Sequence, residues 1–140
     1  MNVNLAGGFL ELASVRILIV DDYDFWRYCV VSMLKEYPEF EIAGEGLDGL
    51  DAIDMSAQLQ PDIVLLDLGL PEVNGFEAAR EIRRVSAATR IVFLSQTRDL
   101  DLINEAKRLG AHGFVSKLDA PWQLVPALKA ALENKWHYYD

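Results

Sequence analysis

Five short apolar runs are spaced along this chain, and four of them end on a polar side chain. Residues 15–20 read Val-Arg-Ile-Leu-Ile-Val and stop at Asp21-Asp22. Residues 62–66 follow Pro61 and stop at Asp67; residues 90–94 stop at Ser95; residues 113–116 stop at Lys117. A weaker run covers 40–44. Runs that are apolar almost throughout belong to strands covered on both faces, which is the condition of a parallel sheet.

Helical periodicity fills the gaps, over 24–36, 49–59, 74–85, 100–109 and 121–132. The residues that recur at helical spacing are Phe25, Cys29 and Ser32 or Met33 along one side of the first helix, and Leu50, Ile53 and Ala57 in the second. They are Phe76, Ala79, Ile82 and Arg83 in the third, Ile103, Ala106 and Leu109 in the fourth, and Leu124, Leu128, Ala131 and Leu132 in the fifth. Asn74 suits a helix cap, Gly110 a helix stop, and Pro121 a first-turn position. Pro126 lies further in and is expected to remove a hydrogen bond or shift the helix start. The strand-helix order repeats five times. It predicts an α/β fold with a five-stranded parallel sheet, doubly wound, with helices on both faces. The expected organisation is an extension at 1–14, one domain at 15–134 and a tail at 135–140.

The chain has 140 residues, which suits one core, and about half are apolar. Its net charge of -9 argues against gripping nucleic acid directly, because phosphate backbones require clustered Lys and Arg. The one cysteine, Cys29, excludes an internal disulfide and reads as a small buried hydrophobe. No run approaches the ~18 apolar residues that cross a bilayer. The first 13 residues lack the basic and long apolar regions of a signal peptide. A cytoplasmic protein with no membrane association is expected.

In doubly wound sheets, ligands bind at the carboxyl ends of the strands. That edge receives Asp21 and Asp22, Asp67, Ser95 and Lys117: three carboxylates, a hydroxyl and an ammonium. Each alone has a plainer reading. An aspartate after a strand is often a helix cap, as Asp24 or Asp99 would be, and a lone lysine is usually solvated. Together they are more specific. Clustered carboxylates repel, and a hard cation such as Mg²⁺ relieves this. Lys117 and Ser95 can hold phosphoryl oxygens, and a carboxylate is a competent nucleophile that forms an acyl phosphate.

The segments 17–22, 65–76, 94–95 and 110–117 resemble the response-regulator receiver family, whose fold is CheY-like (flavodoxin-like). Asp22, Asp67, Ser95 and Lys117 stand 45, 28 and 22 residues apart in succession, and the resemblance runs from about residue 15 to 132. The pattern Gly110-Ala111-x-Gly113-Phe114 with Lys117 and Pro121 is most similar to the LuxR/NarL type. The resemblance implies Asp67 as phosphoacceptor, and Mg²⁺ held by Asp22, Asp67 and the Gly69 carbonyl with Asp21 assisting. It further implies Ser95 and Phe114 as a switch pair and Lys117 as partner of the phosphoryl oxygens. The donor would be a sensor histidine kinase or a phosphotransfer protein in a two-component phosphorelay, and phosphorylation could drive homodimerisation. The chain would then be a phosphoacceptor that assists its own phosphorylation and dephosphorylation, not an enzyme with a separate substrate.

Some positions depart from the pattern. Tyr23 and Gln96 are bulky where smaller or more polar residues are frequent, and Leu118 stands where many relatives have proline. His112 and His137 read as surface residues, and Trp136, Tyr138 and Tyr139 as packing or a link to another domain. Three other readings stay open. One is a pseudo-receiver that binds partners without phosphorylation. Another is the N-terminal part of a LuxR-type transcriptional regulator. The third, a haloacid-dehalogenase-like phosphatase, is disfavoured because Gly69 occupies the position of that family's second aspartate.

Overall fold

Alternate residues of the central strands face opposite layers, and this decides the architecture. In the computed structural model, which describes residues 14–138 and the backbone of 3–6 and 9–12, Ile17 and Ile19 of β3 (Val15–Val20) pack with α1 (Asp24–Leu34) and α5 (Ala120–Leu132). Leu18 and Val20 point the other way, toward α2 (Gly49–Leu59), α3 (Gly75–Val85) and α4 (Leu100–Arg108). The same split recurs in β5 (Ile63–Asp67), β6 (Arg90–Ser95) and β7 (Gly113–Ser116). Two apolar layers therefore sandwich one sheet, as two-sided apolar strands require.

The sheet order is β4-β3-β5-β6-β7-β8, with β4 at Phe40–Gly46 and β8 at His137–Tyr138. Every neighbouring pair in it is parallel. The order reverses between β3 and β5, so the ends of those strands flank the switch point where such sheets bind ligands.

Helix starts follow their side chains. Asp48, Asn74 and Asp99 each accept a backbone N–H as N-caps, and Asn74 donates back to Glu77 at 2.9 Å. Asp24 is no cap; it lies in the first turn of α1 and pairs with Arg27. Gly110 stops α4 with φ +84°. Gly75 lets α3 start against the end of β5, since a Cβ there would lie 2.7 Å from the Asp67 carbonyl oxygen. Pro126 sits inside α5 without displacing its start at Ala120.

The structure corrects several expectations. The sheet has a sixth strand, because Trp136 and Tyr138 pack against the apolar cluster around Phe114 and draw 137–138 along the open edge of β7. Within the extension at 1–14, residues 3–6 and 9–12 form an antiparallel pair, β1 (Val3–Ala6) with β2 (Phe9–Leu12). In α1 the buried residues are Val30 and Leu34, while Phe25 is 61% exposed and Cys29 only half-buried. In α2 the buried face is Ala52 and Ser56, with Leu50 and Ala57 exposed. His112 and His137 are half-buried, not surface residues. Tyr139 lies outside the described residues.

Candidate functional site

β3, β5, β6 and β7 end side by side, and the residues following them form one cleft of about 770 Å³. Asp21 closes β3: its amide bonds the Gly46 carbonyl at 3.1 Å and its Oδ1 accepts from the Tyr23 amide at 2.9 Å. Asp21 is fully buried and Asp22 beside it is exposed. Asp67, the last residue of β5, is 6% exposed, and its Oδ1 accepts from the Gly69 amide at 3.2 Å. One carboxylate oxygen from each of these three aspartates lies within 4.8 Å of the others.

Lys117 reaches the cluster because its amide bonds the Ser95 carbonyl at 2.7 Å, continuing the β6–β7 ladder one step past the strand. Its Nζ lies 2.5 Å from Asp21 Oδ2 and 3.8 Å from Asp67 Oδ2. Ser95 is buried at the end of β6, and its Oγ accepts from the Thr97 amide at 3.1 Å. Gly69, Tyr23 and Gln96 also line the cleft, whose apolar side is Leu68, Phe76 and Leu102.

Electrostatics set Asp67 apart. Burial raises its pKa above the usual carboxylate value and Asp21 raises it further; Lys117 and the Gly69 amide pull it down, and Asp22 adds a smaller upward push. Two buried carboxylates and an exposed third share a single ammonium, so the site is short of positive charge. An oxygen-only donor set with one solvent-facing carboxylate fits a hard divalent ion that keeps some of its water.

The structure thus brings together Asp21, Asp22, Asp67, Gly69, Ser95 and Lys117. Phe114 is not in the cleft wall. It is 1% exposed beneath α4, edge-on to Tyr138. No peptide bond among the described residues is cis, that before Leu118 included.

Two residues at the site escaped sequence reasoning. Arg27, whose side chain is 11% exposed, donates to the Asp21 carbonyl at 2.6 Å and to Glu45 at 3.2 Å, and pairs with Asp24. Its i,i+3 spacing from Asp24 was a readable signal. Trp26 lies against Lys117, with Nζ 5.2 Å from the ring centroid. Nothing in the sequence announces that contact.

The response regulator receiver domain pattern matches residues 17–129. The chemotaxis protein CheY of Thermotoga maritima is 34% identical over 81% of this chain and 93% of its own length. The transcriptional regulatory protein DegU of Brevibacillus brevis is 32% identical over 86% of this chain, which spans about half (51%) of DegU. The crystal structure of a LuxR-family two-component response regulator from Aurantimonas sp. superposes with a TM-score of 0.84 at 31% identity, covering 89% of this chain and 90% of that one.

Proposed function

The chain belongs to the response regulator receiver domain family of two-component systems, and on that premise we propose that it is a phosphorylation switch whose acceptor is Asp67. The observation that carries this reading is the surroundings of Asp67: a nearly buried carboxylate, an ammonium 3.8 Å away and two further carboxylates within 4.8 Å.

In the transfer, an Asp67 carboxylate oxygen attacks the phosphorus of a phosphohistidine on a sensor kinase or phosphotransfer protein. The new O–P bond forms as the P–N bond breaks, and the imidazole nitrogen leaves with the bonding pair and takes up a proton. The product is an aspartyl phosphate. Asp21, Asp22, Asp67 and the Gly69 carbonyl would hold Mg²⁺, which when bound neutralises the carboxylates and the phosphoryl oxygens. Lys117 and the Ser95 hydroxyl donate to the phosphoryl oxygens. Ser95 is fixed through the Thr97 amide, so its movement toward the new group would pull the loop leading into α4. Phe114, packed under α4, would change position with it. The working unit is residues 15–134 in the cytoplasm, with control of an output domain or of a homodimer as the readout. The chain spans about half of DegU and 93% of the Thermotoga maritima CheY.

The test is intact-protein mass after acetyl phosphate treatment, with and without Mg²⁺, beside Asp67→Asn. One phosphoryl mass that depends on Mg²⁺ and is absent in the variant is the expected result. No gain in folded protein would sink the reading in favour of a pseudo-receiver.

A further inference from the structure

We infer that Trp26 is a positioning residue for phosphoryl transfer: its indole face holds the Lys117 ammonium at the rim of the cleft, beside Asp67. The contact itself is geometric; its consequence for transfer rests on the reading of Asp67 as phosphoacceptor.

The bond from its amide to the Ser95 carbonyl fixes the backbone of Lys117 but not the course of its side chain. Lys117 follows a four-residue strand, and the next residue, Leu118, is 79% exposed. A lysine side chain is a flexible stem with a strongly hydrated head, and at such a position solvent would normally claim it. Instead its side chain is 13% exposed, and three groups surround Nζ: Asp21 Oδ2, Asp67 Oδ2 and the Trp26 ring.

Two of those three partners are altered by the reaction. Asp67 becomes an acyl phosphate, so its carboxylate charge is replaced by that of the phosphoryl group beyond it. Asp21, at the acid cluster, is the carboxylate a bound cation would compete for. The ring face changes with neither. An aromatic face within about 6 Å attracts an ammonium through its quadrupole, most strongly for Trp and more so away from water. Trp26 can therefore hold Nζ in reach of the phosphoryl oxygens while its anionic partners change.

The ring is itself held. Its residue sits in the first turn of α1, with its amide bonded to the Tyr23 carbonyl at 3.1 Å, and its side chain packs against the core layer under α1 and α5. The buried indole N–H has no hydrogen-bond partner among the described residues. Buried Trp usually finds one. Packing has thus placed this ring by its face and not by its polar atom, and a phenyl ring could do the same work.

Two measurements on the full chain decide the matter. In ¹H–¹³C spectra of the wild type, the Lys117 Cε protons should lie upfield from ring current, and Trp26→Leu should return them to the ordinary lysine position. In acetyl phosphate reactions followed by intact mass, Trp26→Leu should slow phosphorylation about tenfold. Trp26→Phe should stay within about threefold of the wild type. Unshifted Lys117 protons in the wild type overturn the inference, as does a Phe variant as slow as the Leu variant, which would indicate loss of volume only. If the wild type takes no phosphoryl group at all, the phosphoacceptor reading fails, and the Lys117 shift still decides whether the ring holds the ammonium.

Discussion

The ring of Tyr138 meets that of Phe114 edge-on, with centroids 6.4 Å apart and planes at 78°. The two residues are also register partners across β7 and β8. A strand of two residues has few backbone bonds to hold it to an edge; besides its short ladder with β7, His137 N–H donates to the His112 carbonyl at 3.1 Å, and aromatic packing adds to these. Tyr138→Ala is therefore expected to lower stability by about 2 kcal/mol, given the half-buried ring and the lost aromatic pair. Tyr138→Phe should be near wild type. Urea unfolding measures both, and an unchanged Ala variant would mean that β8 is not bound to the sheet in solution.

Asp67 opposes the fold at neutral pH. Burial first, then Asp21, hold its folded pKa above the unfolded value near 3.8. Between those two values the folded state binds more protons, so this group's contribution to stability falls as pH rises through the window and its penalty is complete above it. Without divalent cations, Asp67→Asn should therefore be more stable than wild type at pH 7, and the difference should shrink toward pH 4. Each kcal/mol gained would raise the melting temperature of a chain this size by about 4 °C. Mg²⁺ should stabilise the wild type more than the variant. A variant that melts below the wild type at pH 7 in chelator would contradict this.

The acid cluster was legible because a strand's end fixes a residue's place in space. Once 15–20, 62–66, 90–94 and 113–116 are read as parallel strands, Asp21, Asp67, Ser95 and Lys117 must share an edge. Helix faces were less legible. In α1 both Phe25-Cys29 and Trp26-Val30-Leu34 form apolar stripes, and only the sheet beneath selects the second. Contacts across long separations left no local trace at all, as with Trp26 and Lys117. The β8 strand hid in two residues, too short to show alternation, although Asn134 with φ 57° ends α5 just before it. The β1–β2 pair had a usable signal: a Gly7-Gly8 dipeptide between two mainly apolar runs.

Gln96 stands at the mouth of the cleft, exposed, one residue past Ser95. If an amide of that size restricts the approach to Asp67, it should slow attack by water on an aspartyl phosphate. Gln96→Ala is expected to shorten the lifetime of the phosphorylated state by about threefold, equivalent to about 0.6 kcal/mol. Loss of the phosphoryl mass over time after removal of acetyl phosphate gives the rate, and an unchanged lifetime would remove Gln96 from the list of residues that set it.

His112 and His137 meet along the β7–β8 edge, and both should make the fold acid-sensitive. Burial lowers the pKa of each; at His112 the neighbouring Arg90 and Arg83 lower it further. The Nδ1 of His112 is buried with no partner among the described residues, and His137 Nε2 lies 2.9 Å from Gln123 Oε1. With folded values below the unfolded one of about 6.5, the unfolded chain binds more protons in between. Stability is then full above about pH 6.5 and declines as pH falls toward the folded values. Asp67, gaining a proton in the folded state, acts in the opposite sense, so the comparison is cleanest in the Asp67→Asn background. There, urea midpoints should drop between pH 7.5 and 5.5, and His112→Gln should flatten that drop because the amide cannot take up a proton. Equal slopes with and without His112 would show that its burial does not disfavour the imidazolium.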